Sequence, residues 1–78
     1  MTLKIISPSE ILFQGEADSV TLPGQLGSFT VLKNHASLIA VLVKGAIKYR
    51  KPDGHEELLD IKGGLVDVDK NVVSVCVY

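Results

Sequence analysis

GQLGSFTVLKNHASLIAVLVKG, residues 24–45, is the stretch of sequence that decides the fold. Two apolar runs, Phe29–Leu32 and Leu38–Val43, lie on either side of the polar segment Lys33–His35. Two short apolar runs with a polar connection between them predict two strands joined by a tight turn. No window of the chain keeps an apolar stripe at helical spacing over three turns, so at most one helical turn is expected, near His35.

Short strand-like runs continue on both sides of this stretch. They cover residues 3–7, 11–13, 16–22, 46–51, 57–61, 65–69 and 72–78. Gly15 is expected to break the second run at a bulge or bend, and Pro23 with Gly24 to end the third. Short strands at close spacing, separated by glycine and proline turns, predict one all-β domain over residues 1–78, either a sandwich or a barrel.

Composition excludes several classes of protein. Eight Lys and Arg residues against nine Asp and Glu residues give a net charge of -1, without the basic excess that nucleic-acid binding requires. The longest apolar run, Leu38–Val43, is far shorter than the roughly 20 residues of a membrane-spanning helix. The sequence shows no signal-peptide pattern. A soluble protein that meets a membrane only indirectly, through another protein, is therefore expected.

The residues that could carry chemistry are few. Cys76 is the only cysteine, and its neighbours in an apolar strand predict a buried, inert thiol. His55 follows a Pro-Asp-Gly turn and is expected at a solvated hairpin tip, whereas His35 is expected to cap backbone groups or contact a partner. Neither histidine has metal-ligand spacing, so no metal or cofactor is predicted. A small hydrolase that uses His35 with Cys76 remains one alternative.

Elimination favours a binding module. A small sheet protein has strand edges and incompletely covered apolar surface, and both can dock another chain. The residues alone therefore leave open a β-barrel adaptor that binds extended peptides on an edge strand.

Four stretches resemble one known family. GSFTVLKNHASL, residues 27–38, resembles the segment that in epsilon subunits of F-type ATP synthases usually reads glycine, acidic, apolar, glycine, apolar, then Pro-Gly-His-Ala-Pro-Leu. Residues 3–8 with 13–15, 19–24 and 62–68 resemble the family's opening, its second strand and its Ser-Gly-Gly turn, in order and in register. The sequence departs from the family pattern at Ser28, Thr30, Lys33, Asn34 and Ser37.

The resemblance implies a small sandwich of two antiparallel sheets, with roughly ten short strands. It also implies a non-catalytic subunit of the central rotor stalk, which links the gamma subunit to the c-subunit ring and supports torque transmission in proton-driven ATP synthesis. Such a subunit is peripheral, at the cytoplasmic face of the bacterial inner membrane. A helix pair normally follows this domain in the family, acting as a brake on hydrolysis and in some members binding ATP; the 78 residues end before it.

Two contact sites follow from the resemblance. The c-ring contact is expected at Gln25, Leu26, Gly27 and Ser28, where glycine permits close backbone approach. The gamma contact is expected at His35, Ala36, Ser37 and Leu38, with the neighbouring sheet surface. Ser28 stands where the family often has an acidic residue, so no charge-based contact is expected there. Leu38→Asp is expected to weaken gamma binding and to leave the isolated fold intact.

Overall fold

The computed structural model describes all 78 residues, Met1–Tyr78, and contains nine strands and no helix. The strands are β1 Thr2–Ile6, β2 Ile11–Glu16, β3 Ser19–Gly24, β4 Gly27–Leu32, β5 Leu38–Leu42, β6 Gly45–Arg50, β7 Glu56–Ile61, β8 Gly64–Asp69 and β9 Val72–Val77. The sequence allows at most one helical turn, near His35, and the structure has none there; nothing in the structure qualifies as a membrane-spanning helix.

The strands form one hydrogen-bonded path that folds into two layers. One layer has the order β2-β1-β9-β8-β5, and the other has the order β7-β6-β3-β4. The layers join at a corner where Gly24 of β3 pairs with Leu42 of β5. The predicted all-β sandwich is confirmed, with nine strands in place of roughly ten.

One strand pair departs from the predicted antiparallel arrangement. β1 and β9 run parallel, with Leu3 opposite Val73 and Ile5 opposite Val75. The first and last of the nine strands therefore lie side by side inside the five-stranded layer. Alternation along a strand shows which face is buried but not which strand lies beside it, so the sequence pattern does not reveal this pair.

Both layers contribute to one apolar core of 15 buried side chains. They alternate along each strand with exposed residues, as a half-buried sheet requires. The core comprises Leu3, Ile5, Ala17, Val20, Leu22, Val31, Leu42, Ile47, Tyr49, Ile61, Val66, Val68, Val73, Val75 and Val77. Phe13 of β2 and Tyr49 of β6 connect the layers directly, with ring centroids 4.5 Å apart.

Two predicted strand boundaries are wrong. β2 continues through Gly15, and the register instead shifts opposite Ile5 and Ile6, where Leu12 is the extra residue. That bulge lets Phe13 reach the core while Ile11 stays exposed. β3 likewise continues through Pro23 and Gly24. Proline has no N–H to donate to the ladder, but its carbonyl still accepts a hydrogen bond, from Val43 N at 2.9 Å.

The prediction that Cys76 is buried is also wrong, because its thiol is exposed. Val75 and Val77, on either side of it in β9, point into the core. Successive side chains of a strand face opposite sides of the sheet, so the residue between two inward valines must face outward. Ser74, two residues earlier in β9, lies on the same outward face and is the sequence signal for the exposure of Cys76.

Candidate functional site

A groove of about 550 Å³ opens between β4 and β5. β4 pairs only with β3, and β5 pairs with β8 on one side and with β3 only at Leu42 on the other. Strand edges that lack partners therefore border the groove. Its lining is apolar and polar but carries no Asp, Glu, Lys or Arg: Gly24, Gln25, Leu26, Gly27, Ser28, Phe29, Thr30, His35, Leu38, Ile39, Ala40 and Val41.

The groove brings the two predicted contact segments together. All of Gln25–Ser28 lines it from the β3–β4 turn, and His35 and Leu38 line it from the other side. Ala36 is exposed but outside the lining, and Ser37 belongs to an adjoining shallow surface near Asp69. The sequence predicts two surfaces for two partners, whereas the structure has one continuous surface. That these residues bind partners remains a prediction.

The β3–β4 turn depends on glycine and projects an apolar side chain. A Cβ added to Gly24 would lie 2.6 Å from the carbonyl oxygen of Gly27 and 2.9 Å from the Phe29 ring, and Gly27 has a φ of 127°. Neither position accommodates a larger residue without movement of the backbone. Leu26, between them, is fully exposed at the apex of the turn. The two glycines thus fix the backbone of a tight turn whose apex exposes Leu26.

In the loop from residue 33 to 37, hydrogen bonds fix the backbone and the ring tautomer of His35. Its backbone N–H donates to Leu32 O at 3.1 Å, and its Nδ1 lies 2.6 Å from Ala36 O. A carbonyl oxygen only accepts hydrogen bonds, so Nδ1 carries a proton and donates it. In the neutral ring Nε2 is then the acceptor, available to a partner. The predicted structural role of His35, binding backbone groups, is confirmed.

Exposed apolar side chains extend the groove onto the outer face of the five-stranded layer. Ile39 is 71% exposed and lines the groove. Val41 of β5 begins a line of directly paired residues that runs across the layer, with one apolar residue on each strand. This outer apolar row consists of Val41, Leu65, Cys76, Ile6 and Ile11. The sequence misses Ile39 because β5 is apolar on both faces, so alternation cannot separate inward Leu42 from outward Ile39.

The burial of Leu38 contradicts part of one expectation. Leu38 is partly buried and packs against the core, so an aspartate there would be placed beside apolar side chains. Burying a carboxylate without a partner is strongly unfavourable. Leu38→Asp is therefore not neutral for the isolated fold, and Ile39 is the better position for a test of binding.

The structure does not bring His35 and Cys76 together. Leu38 pairs with Val68 of β8, which in turn pairs with Val73 of β9. Cys76 lies three residues beyond Val73, which separates the two residues by roughly 10 Å at the usual rise of a strand. His35 precedes Leu38 and lies beyond that end of β5. A Cys-His nucleophile pair, as a small hydrolase would need, is not formed. No group of three His, Cys, Asp or Glu side chains is placed to hold a metal ion.

His55 lies at the exposed β6–β7 hairpin tip, as predicted. Its backbone N–H and its Nδ1 approach the carboxylate of Asp53 at 2.9 and 3.0 Å. The hydrogen bonds to His55 lower the pKa of Asp53, and the same partner raises the pKa of His55. The pair thus fixes the turn rather than forming part of the groove.

The fold and the groove together define the class: a small two-layer β-sandwich domain with an open, uncharged surface site. Residues 1–78 match the family described as "ATP synthase, Delta/Epsilon chain, beta-sandwich domain" over their whole length. The chain belongs to this family.

Individual proteins agree with this assignment. The chain is 42% identical over 77 residues to the ATP synthase epsilon chain of a Nitratiruptor species, a match that covers 99% of this chain and 60% of the relative. The chain thus spans about three fifths of the length of that relative.

Two solved structures share the fold. A chain in the Euglena gracilis mitochondrial ATP synthase OSCP/F1/c-ring structure superposes with a TM-score of 0.91 at 22% identity, covering 96% of this chain and 48% of that one. A chain in the Tetrahymena thermophila mitochondrial ATP synthase central stalk/c-ring structure gives 0.82 at 17% identity, covering 97% and 61%.

Proposed function

We propose that this domain acts as the β-sandwich part of an ATP synthase epsilon chain, a non-catalytic component of the central rotor stalk. In this role it contacts the gamma subunit and the c-subunit ring and supports torque transmission in proton-driven ATP synthesis. Its place is peripheral, at the cytoplasmic face of the bacterial inner membrane. Family membership over residues 1–78 and the neighbours described as central stalk and c-ring support this role.

The groove between β4 and β5 is the observation that carries the proposal. The family resemblance assigns two segments to different partners, and the same uncharged surface is bordered by all of Gln25–Ser28 from the first and by His35 and Leu38 from the second. A subunit that fixes gamma to the ring must touch both where they meet, so adjacent contacts suit it better than distant ones. Leu26 would face the ring, and His35 with Ile39 would face gamma.

The apolar character of the surface supports a protein partner. Ile39 and three members of the outer apolar row, Val41, Leu65 and Ile11, expose large side chains on one face, whereas isolated exposed apolar residues are ordinary. A partner that covers Ile39, Val41 and Leu65 removes this area from water, at about 25 cal/mol per Å². Transmission of torque also requires stiffness, which the 37 backbone hydrogen bonds within the strands provide.

Binding to purified gamma subunit tests the proposal, with complex formation followed by size-exclusion chromatography and titration calorimetry. The unaltered domain is expected to form a 1:1 complex. Ile39→Asp is expected to weaken it by roughly tenfold or more, because a carboxylate would be desolvated at the contact. Leu58→Asp is the matched control, since Leu58 is 69% exposed on β7 of the other layer and should leave affinity unchanged.

The outcome also discriminates against the adaptor alternative. A folded domain that fails to bind gamma, or that loses binding equally with Ile39→Asp and Leu58→Asp, would contradict the proposed contact. An adaptor would instead bind unrelated extended peptides at an open edge such as β2 or β7, each of which pairs on one side only.

A further inference from the structure

Two asparagines from distant parts of the chain hold each other by reciprocal hydrogen bonds. The backbone N–H of Asn34 donates to Asn71 Oδ1 at 2.6 Å, and Asn71 Nδ2 donates to Asn34 Oδ1 at 2.7 Å. Both residues are in the left-handed region, with φ of 64° and 63°. Asparagine adopts that region more readily than most residues, so each backbone conformation suits the residue that makes the bonds.

A second bond lies next to this pair. Ser37 Oγ donates to Asp69 Oδ1 at 2.7 Å, which ties the other end of the loop to the end of β8. The β8–β9 turn is itself anchored, because Asn71 O accepts from the backbone N–H of Thr2 at 2.9 Å. The loop that carries His35 is thus fastened at two points to a turn that β1 holds in place.

The loop has little support of its own. Its internal backbone hydrogen bond joins His35 N to Leu32 O at 3.1 Å, and Asn34, His35 and Ala36 are all exposed. An exposed loop with so few contacts loses its conformation readily unless other elements restrain it. Asn71 and Asp69, which do not line the groove, therefore restrain the loop on both sides of His35, through Asn34 and Ser37.

We propose that Asn71 is a positioning residue for partner docking, acting through Asn34 to hold His35 at the mouth of the groove before the partner arrives. The inference rests on the proposed function and assigns a role in docking to Asn71, a residue outside the groove lining. Ordering a loop in advance lowers the conformational entropy lost on binding. Asp69, through Ser37, restrains the far end of the same loop.

The first test uses the free domain and requires no partner. Asn71→Gly removes both side-chain bonds and keeps a residue that tolerates a positive φ. Amide hydrogen exchange at Asn34 and His35 is expected to accelerate by at least roughly fivefold to tenfold, the factor for losing the one bond that the Asn34 N–H itself donates, because the second lost bond can only add to the effect. Lys70→Gly is the matched control, since Lys70 also has a positive φ of 49° in the same turn but makes no side-chain bond to the loop.

The second test measures gamma binding by the same variants. Asn71→Gly should weaken binding by roughly fivefold, Asn71→Asp should recover part of the loss because it keeps an acceptor for Asn34 N–H, and Lys70→Gly should bind normally. Adding Asn34→Gly to Asn71→Gly should cost less than the sum of the single changes, because both act on one pair.

The outcomes separate the two proposals. If the unaltered domain binds gamma but Asn71→Gly binds equally well, or if its loop amides exchange at the original rate, the inference is overturned and the proposed function stands. If the unaltered, folded domain does not bind gamma, the proposed function fails and the positioning role fails with it. A loss of affinity that Lys70→Gly shares would indicate general weakening of the turn and would also overturn the inference.

Discussion

In the β6–β7 turn, the exposed carboxylate of Asp53 is the main influence on the pKa of His55. Asp53 accepts hydrogen bonds from the backbone N–H and the imidazole of His55, which is why the pKa of Asp53 is lowered and that of His55 is raised. His55 stabilises the fold fully below its ordinary pKa of 6.5 and loses this contribution as pH rises through its folded value. Asp53 contributes above its ordinary pKa of 3.8 and loses this as pH falls through its own folded value.

Asp53→Asn is therefore expected to move the pKa of His55 down toward 6.5, since a neutral amide weakens the hydrogen bond that the carboxylate makes with the imidazole and also removes the negative charge. The shift is measured by NMR titration of the imidazole resonances. Glu57→Gln is the comparison, because Glu57 makes only a minor contribution to the pKa of His55 and its removal should move that pKa less. A His55 pKa that responds more to Glu57→Gln than to Asp53→Asn would show that the Asp53 carboxylate is not the main cause of the raised pKa.

At the scale of the strand, β3 and the turn after it place the same residue type in opposite environments. Leu22 of β3 is fully buried, whereas Leu26 at the apex of the turn is fully exposed. Leu22→Ala is expected to lower the free energy of unfolding by about 2–5 kcal/mol, through lost burial and a residual cavity. Leu26→Ala should change it by less than about 0.5 kcal/mol. Urea denaturation measures both, and similar losses would contradict the assignment of Leu26 to a purely surface role.

The strands themselves were largely predictable from the sequence, and the reason is visible in β6 and β8. Apolar residues alternate with polar ones there, as Ile47 does with Lys48 and Val66 with Asp67, so the buried face can be identified without a structure. β5 is apolar on both faces, so the exposure of Ile39 could not be inferred, because alternation needs a polar residue to reveal it. β9 does contain such a residue, Ser74, which shares a face with the exposed Cys76, so a sequence signal for the exposure of Cys76 existed.

The candidate site was predictable only in part. The glycines around Leu26 and the polar segment near His35 mark two turns, and family resemblance attaches partners to them. That the turns border one groove follows from the corner between Gly24 and Leu42, a long-range pairing that no local pattern encodes. The Asn34–Asn71 pair was missed for the same reason, since residues 37 positions apart give no periodic signal.

For the whole molecule, a single core predicts a single unfolding event. The 15 core residues come from both layers and form one cluster, and Phe13 with Tyr49 joins the layers further. Separating the layers would expose most of this cluster at once, so neither layer is expected to persist alone. The domain should therefore unfold in one cooperative transition.

The measurement is a urea titration followed by far-UV circular dichroism and by the methyl resonances of Val73 in one layer and Ile47 in the other. Coincident midpoints are expected from all three signals. Distinct midpoints for the two methyl groups would show that the layers unfold separately and that the corner at Gly24 and Leu42 joins them only weakly.

The parallel pairing of β1 with β9 also bears on how the domain forms during synthesis. Leu3 meets Val73, seventy positions later in the chain, and a ribosome adds roughly 5–20 residues per second. Roughly 4–14 seconds therefore pass between the synthesis of Leu3 and that of Val73, its pairing partner in β9. During that interval one edge of β1 has no pairing strand, and chaperones or neighbouring nascent chains can bind to it. Translation of β9 thus sets the earliest moment at which the five-stranded layer can be completed.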